Sequence, residues 1–281
     1  MTSADTLSFY ARHGELTDPK GHRAALDELP SDVAALCRTI QGVLIHDHFG
    51  HHLYGPPPAA FRRASRETLS VSRRLDAILA ADDRPIDVAR QPFARSVGTC
   101  RDFALMLCAV LRQRAIPARV RCGFARYFDP PNYEDHWICE YWLEAEQRWA
   151  MADAQLDEPQ RSHLSIDFDT ADIPTDRFIH AWQAWRICRS GTADPSRFGH
   201  GANTGAWFLR VNLARDLLSL RKQEVSAWDD WRATPVGDRM LDADATSRCD
   251  EMAEVARAAD GLSPPDRCNP GPAFPNVSVE I

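Results

Sequence analysis

A cysteine, a histidine and an aspartate stand at positions 100, 136 and 153, in the order that an activated thiol nucleophile needs. A neutral thiol attacks a carbonyl poorly. An imidazole within reach takes its proton, and a carboxylate holds that imidazole in the productive tautomer. Cys100 lies in Gly98-Thr99-Cys100-Arg101-Asp102-Phe103, His136 in Asp135-His136-Trp137, and Asp153 in Ala152-Asp153-Ala154. Each alone has an ordinary explanation, since free cysteines are common packing residues and aspartates form turns. Together they read as nucleophile, base and orienting group.

The elements that must carry them can be read from pattern. From Thr99 to Arg114, apart from Thr99 itself, only Arg101, Asp102, Arg112, Gln113 and Arg114 are polar, which predicts a helix buried on nearly all sides. Gly98 breaks the preceding segment, Thr99 suits the N-cap, and Asp102 can accept from first-turn amides. Ile116-Pro117 ends the helix, because proline pushes its predecessor out of the α region. Cys100 then falls on the first turn, where the helix dipole and unpaired N–H groups favour negative charge. The run from His136 to Leu143 is aromatic and β-branched, as strands are, and Arg148 to Asp153 returns after the polar turn Glu144 to Gln147. A hairpin closed by that turn puts His136 and Asp153 at its open end, within a residue or two of register. Only the fold can carry Cys100 to them.

These words, in this order, resemble the transglutaminase-like cysteine enzyme superfamily: Gly98-Thr99-Cys100, then Ile116-Pro117-Ala118-Arg119, then His136-Trp137, then Asp153. The chain also looks like a bacterial subgroup of stand-alone domains with Ile45-His46-Asp47-His48 before the core. The resemblance implies an α+β, papain-like core: a nucleophile helix packed on an antiparallel sheet, with helical N- and C-terminal extensions. It also implies a Cys100, His136 and Asp153 triad and acyl-enzyme chemistry on an amide or ester. Protein-crosslinking members place a tryptophan upstream of the cysteine to steady the oxyanion, whereas here the first tryptophan is Trp137. The oxyanion then needs the Cys100 N–H and another donor. Gln41, His46 and His48 are the candidates, with Trp137 as a cleft neighbour.

Composition sets the frame. The chain has 281 residues, 44% of them hydrophobic, a net charge of −7 and dispersed arginines, which argues against nucleic acid as a partner. No apolar run is long enough for a membrane span, and Met1-Thr2-Ser3-Ala4-Asp5 lacks a basic-then-apolar leader. Eight cysteines without a CxxC pair predict reduced thiols and a cytoplasmic setting. Cys108, Cys122, Cys139 and Cys188 sit in apolar surroundings and read as packing residues.

Around the core, residues 1–90 read as a helical N-terminal part, 91–175 as the catalytic core, and 176–235 as a helical C-terminal part. Residues 236–281 read as a helix and a weakly ordered proline-rich tail. Helices are expected at Ser31 to Ile45 (capped by Ser31), Arg66 to Ala81, Arg177 to Cys188, Ala206 to Val225 and Asp244 to Ala259. Leu156 to Thr175 and Asp194 to Gly201 are expected as loops. Between 46 and 52 lie four of the ten histidines. They suit a cleft rim better than zinc, and neither metal nor cofactor is expected. Trp182, Trp185, Trp207, Trp228 and Trp231 read as core more readily than as a stacking wall. Glu134, Asp135 and Glu140, beside His136, would suit a cationic amine.

Three outcomes fit this reading. The first is hydrolysis of an amide or ester of a small-molecule or peptide acyl substrate, as in an amidase or peptidase. The second is acyl transfer to an amine. The third is a non-catalytic binding module that retains the triad.

Overall fold

A computed structural model describes residues 3–62, 70–225 and 240–260. In chain order they form α1 (Ser3–Tyr10), α2 (Arg23–Asp27), α3 (Val33–Val43), β1 (Leu44–His46), α4 (Asp47–Gly50), α5 (Ala59–Arg62) and α6 (Val71–Ala81). The middle of the chain forms β2 (Ser96–Gly98), α7 (Cys100–Gln113), β3 (Ala118–Ala125), β4 (Tyr133–Leu143), β5 (Arg148–Ala152) and α8 (Glu158–His163). There follow β6 (Phe178–His180), α9 (Ala181–Arg189), β7 (Phe198–His200), β8 (Asn203–Thr204), α10 (Ala206–Leu220) and α11 (Ala243–Asp260). The class is α+β, as the sequence implies. No helix among the described residues is long and apolar enough to cross a membrane.

The chain packs as two compact units, and β3 and β4 each run from one into the other. The first unit comprises Ser8–Val120 and Ile138–Pro174. At its centre α7 is buried continuously from Arg101 to Arg112, so the pattern of an all-round apolar helix is met. The buried Cys139 thiol of β4 donates to the Glu140 carbonyl at 3.6 Å. β1 and β2 pair in parallel, Leu44 opposite Ser96 and His46 opposite Gly98. β4 and β5 form the expected antiparallel hairpin, from Leu143 opposite Arg148 to Cys139 opposite Ala152.

The second unit takes in residues 3–7, 121–137 and the described residues from 175 onward. β6 pairs antiparallel with β3, and Gly123 is opposite His180. A Cβ at Gly123 would sit 2.3 Å from the Ile179 carbonyl oxygen and 2.7 Å from the Phe178 ring, so no larger residue fits there. β7 pairs with β4 and with β8, giving the order β6-β3-β4-β7-β8 with β5 also on β4. The β4–β7 pairing is parallel, so the sheet is mixed and not wholly antiparallel. A parallel neighbour needs a long crossover, and the intervening α8 and α9 supply it.

Several expected boundaries move, each for a local reason. Asp32, not Ser31, caps α3 by accepting from the Ala35 N–H at 2.8 Å, and the chain leaves the helix at Leu44 to pair as β1. Asp157 caps α8 in a stretch expected as loop, accepting from the Gln160 N–H at 3.2 Å. Phe178 to His180 is a strand where a helix was expected, because it closes the β3 edge. The helix waits for a capping box of His180 and Gln183. Phe198 to His200 likewise becomes β7 in an expected loop. α10 stops at Leu220, followed by Lys222 in the left-handed region at φ 61°. Residues 66–69, Trp228, Trp231 and the proline-rich stretch from Leu262 lie outside the described residues.

The second unit is organised around a buried ion pair. Arg121 on β3 and Asp216 on α10 are fully covered, Nε and Nη2 donating to the two carboxylate oxygens at 2.9 and 2.8 Å. The Cys122 N–H donates to the same carboxylate at 3.0 Å, and Asp260 takes the remaining guanidinium edge. Removing Asp216 strips the buried guanidinium of its bidentate acid and leaves Asp260 on one edge, whereas replacing both Arg121 and Asp216 with apolar groups takes out the buried pair together. Asp216→Ala is therefore expected to lower unfolding free energy by about 3–5 kcal/mol in urea titrations. The double variant Arg121→Met/Asp216→Leu should recover most of that loss.

Candidate functional site

Cys100 is the first residue of α7. Its position is fixed by Asp102, whose carboxylate accepts from the Thr99 N–H at 2.8 Å and from the Thr99 hydroxyl at 3.3 Å. The same carboxylate pairs with Arg74 of α6 and with Arg101, both at 3.2 Å. Arg74 in turn donates to the Ser96 hydroxyl at 3.0 Å and to the Val97 carbonyl. One carboxylate and one guanidinium thus tie β2 to the open end of the nucleophile helix. Gly98 leaves room here, since a Cβ would lie 3.0 Å from the Asp102 carboxylate and press on it. Arg74 was not singled out from the sequence. Its signal was there, an arginine on the buried face of α6 with Val71, Leu75 and Ile78.

The thiols differ in exposure and in acidity. Cys100 is half-buried, whereas Cys37, Cys108, Cys122, Cys139 and Cys249 are buried; all are unbridged. Burial pushes the Cys37 and Cys139 thiols far up. It also raises Cys188, which is only partly covered, to about 11, with the Asp194 charge adding to the effect.

His136 is a buried residue of β4. Its ring meets Phe128 edge-on at 4.8 Å between centroids and Tyr127 at 6.0 Å. Neither aromatic was picked out from the sequence, where Tyr127 and Phe128 are only the start of a proline-containing turn. Successive strand residues face opposite sides, so Trp137, fully buried, takes the face away from the imidazole. The acidic residues near His136 are already paired. Glu134 bonds His200, Asp135 accepts from Asn212 at 2.8 Å and lies 3.5 Å from Arg215, and Glu140 accepts from Arg119 at 2.6 Å. The expected lure for a cationic amine is therefore engaged by other side chains, at the surface for Glu134 and in the interior for Glu140.

Asp153 directly follows β5, one residue beyond the Cys139–Ala152 pair. It is buried, its N–H donates to the Thr170 carbonyl at 2.8 Å, and its carboxylate accepts from the Gln155 N–H at 3.0 Å. Of the other candidates, Gln41 donates its amide to the Ala154 carbonyl at 3.1 Å. His46 ends β1 in register with Gly98, beside the approach to Cys100. His48 is exposed and packs on His52 at 4.7 Å, and His51 lies 3.7 Å from Asp47. No three donor atoms of this histidine cluster converge among the described residues. Trp182 and Trp185 direct their indole N–H groups to Asp260 and Asp250, so they join α9 to α11 and do not form a stacking wall.

Residues 55–154 match the core model of the transglutaminase-like superfamily. The match contains Cys100, His136 and the stretch through Asp153. No functionally curated protein matches the chain. Among solved structures, a Cytophaga hutchinsonii protein assigned provisionally as a cysteine protease is similar at 18% identity and a TM-score of 0.36. That similarity covers 61% of this chain and 44% of the other, so this chain spans less than half of that protein's length.

Burial predicts an order of thiol reactivity. Iodoacetamide at about pH 8, near the ordinary thiol pKa, is expected to alkylate Cys100 first among the described cysteines. Cys188 should follow only as pH climbs toward 11, and Cys37 and Cys139 only on unfolding. Peptide mapping over time measures this order.

Proposed function

We propose that this chain, with its transglutaminase-like core at residues 55–154, is a cysteine-nucleophile enzyme that cleaves an amide or ester through an acyl-enzyme. One observation carries the proposal: Cys100, itself only half-buried, heads a capped, buried helix, and the match to the superfamily runs through it. In this reading His136 takes the thiol proton and the sulfur attacks the carbonyl carbon. An S–C bond forms, and the carbonyl π pair moves onto oxygen. Collapse of that oxyanion expels the leaving group, which receives the proton from His136. Water then attacks the thioester and gives a proton to His136, which returns it to the departing sulfur. Asp153 orients the imidazole, a role supported by its place at the end of the hairpin strand that pairs with β4. The Cys100 N–H at the helix start and His46, beside Gly98, would hold the oxyanion.

Intact-mass analysis with a panel of thioester, ester and amide donors tests the reaction. The expected result is an acyl adduct on Cys100, absent from Cys100→Ala and discharged by water. Discharge by added amines alone would make the enzyme an acyltransferase, and an inert Cys100 with every donor would sink the enzymatic reading. For the oxyanion assignment, His46→Ala is expected to lower kcat by about 10²–10³. His48→Ala, at an exposed position of α4, should change it by less than about twofold, since surface substitutions have small effects.

A further inference from the structure

We infer that Phe128, supported by Tyr127, forms an aromatic wall of the subsite for the leaving group and the incoming acceptor, selecting ring-bearing, uncharged-flanked groups over polycations. The inference rests on the reading of His136 as the base. A base that accepts the thiol proton must hand it to the leaving atom and then take one from the acceptor. A group lying against that ring on the side of the proton-carrying nitrogen therefore borders both, and the inference places Phe128 there. Phe128 lies 4.8 Å from the imidazole at 64°, and Tyr127 lies 6.0 Å away at 82°, both edge-on. The two rings also touch each other at 4.8 Å. Tyr127 is buried, whereas Phe128 is only half-buried, leaving part of its ring for a ligand.

Electrostatics point the same way. The carboxylates preceding His136 on β4 are committed, Glu134 to His200 and Asp135 to Asn212 and Arg215. An ammonium group arriving there would find carboxylates already engaged by other side chains. A ring finds an edge-on partner, an arrangement aromatic pairs favour.

The test uses the full chain carrying an acetyl group on Cys100, discharged by primary amines at equal concentrations of the unprotonated form. In discharge the amine nitrogen attacks the thioester carbon. The C–N bond forms, the C–S bond breaks, and the amine proton passes through His136 to the sulfur. Benzylamine is expected to discharge the adduct about tenfold faster than 2-methoxyethylamine and 1,5-diaminopentane, the scale of pocket discrimination between similar groups. Phe128→Ala should bring that ratio close to one, and Phe128→Tyr should keep it. A ratio near one in the unaltered chain, or one unchanged by Phe128→Ala, would overturn the inference. A second readout needs no acyl-enzyme. Benzylamine added to Cys100→Ala should shift the His136 imidazole resonance, and should fail to do so in Cys100→Ala/Phe128→Ala. Absence of that shift in Cys100→Ala overturns the inference even where acylation succeeds, whereas failed acylation with the shift present counts against the enzymatic reading alone.

Discussion

A single carboxylate, Asp102, sets the geometry on which the candidate site depends. It lies inside the first unit and is bonded to the Thr99 backbone, to Arg74 and to Arg101. A buried carboxylate is tolerable only when its oxygens are satisfied and its charge is opposed. Those conditions dictate the surroundings: a glycine at 98 to leave room, a helix start at 100, and an arginine projecting from α6. The helix dipole adds to the positive side of this balance. The cysteine is thus held by a network that any displacement would leave with an unpaired charge, which is a stiffer support than apolar contact alone.

The sheet repeats the same device at two positions along β3. Arg119 is held by Glu140 at 2.6 Å and lies 4.1 Å over the Trp149 ring, within the first unit. Arg121, two residues on, is held by Asp216 within the second. Residues two apart share a face of a strand, so two guanidinium groups occupy neighbouring buried positions with dedicated carboxylates. Charged partners of this kind specify register, because a shift of one residue would bury each arginine without its acid. Whether they add net stability is a separate matter, since desolvation offsets much of the attraction.

What the sequence made legible was local. The nucleophile helix, its Thr99 and Asp102 cap, and the β4–β5 hairpin follow from periodicity and turn chemistry, and all three stand in the structure. So does the α+β class. The missed strands share one cause, that strands formed by distant pairing leave little local trace. β1, β6 and β7 have three residues each and exist through partners far along the chain, so Phe178 to His180, and Leu44 and Ile45, read as helix. The ionic partners were illegible for the same reason: nothing beside Arg121 in sequence announces Asp216, and nothing beside Glu134 announces His200. Phe128 went unnoticed because an aromatic in a turn has no periodicity to mark it.

Selectivity among the thiols then follows from desolvation more than from any special reagent. Moving a thiolate into apolar surroundings disfavours the charged form, and Cys37 and Cys139, both covered, show the effect in full. Cys188 and Cys249 show it in part, each held near 11 with burial as the leading cause. The fold can therefore keep many reduced thiols without competing nucleophiles, provided that one alone sits where the chain enters a helix and solvent has partial access. Cys100 meets both conditions. A chemical reaction at this residue needs no unusual cysteine, only a structure that silences its neighbours and holds the helix start still.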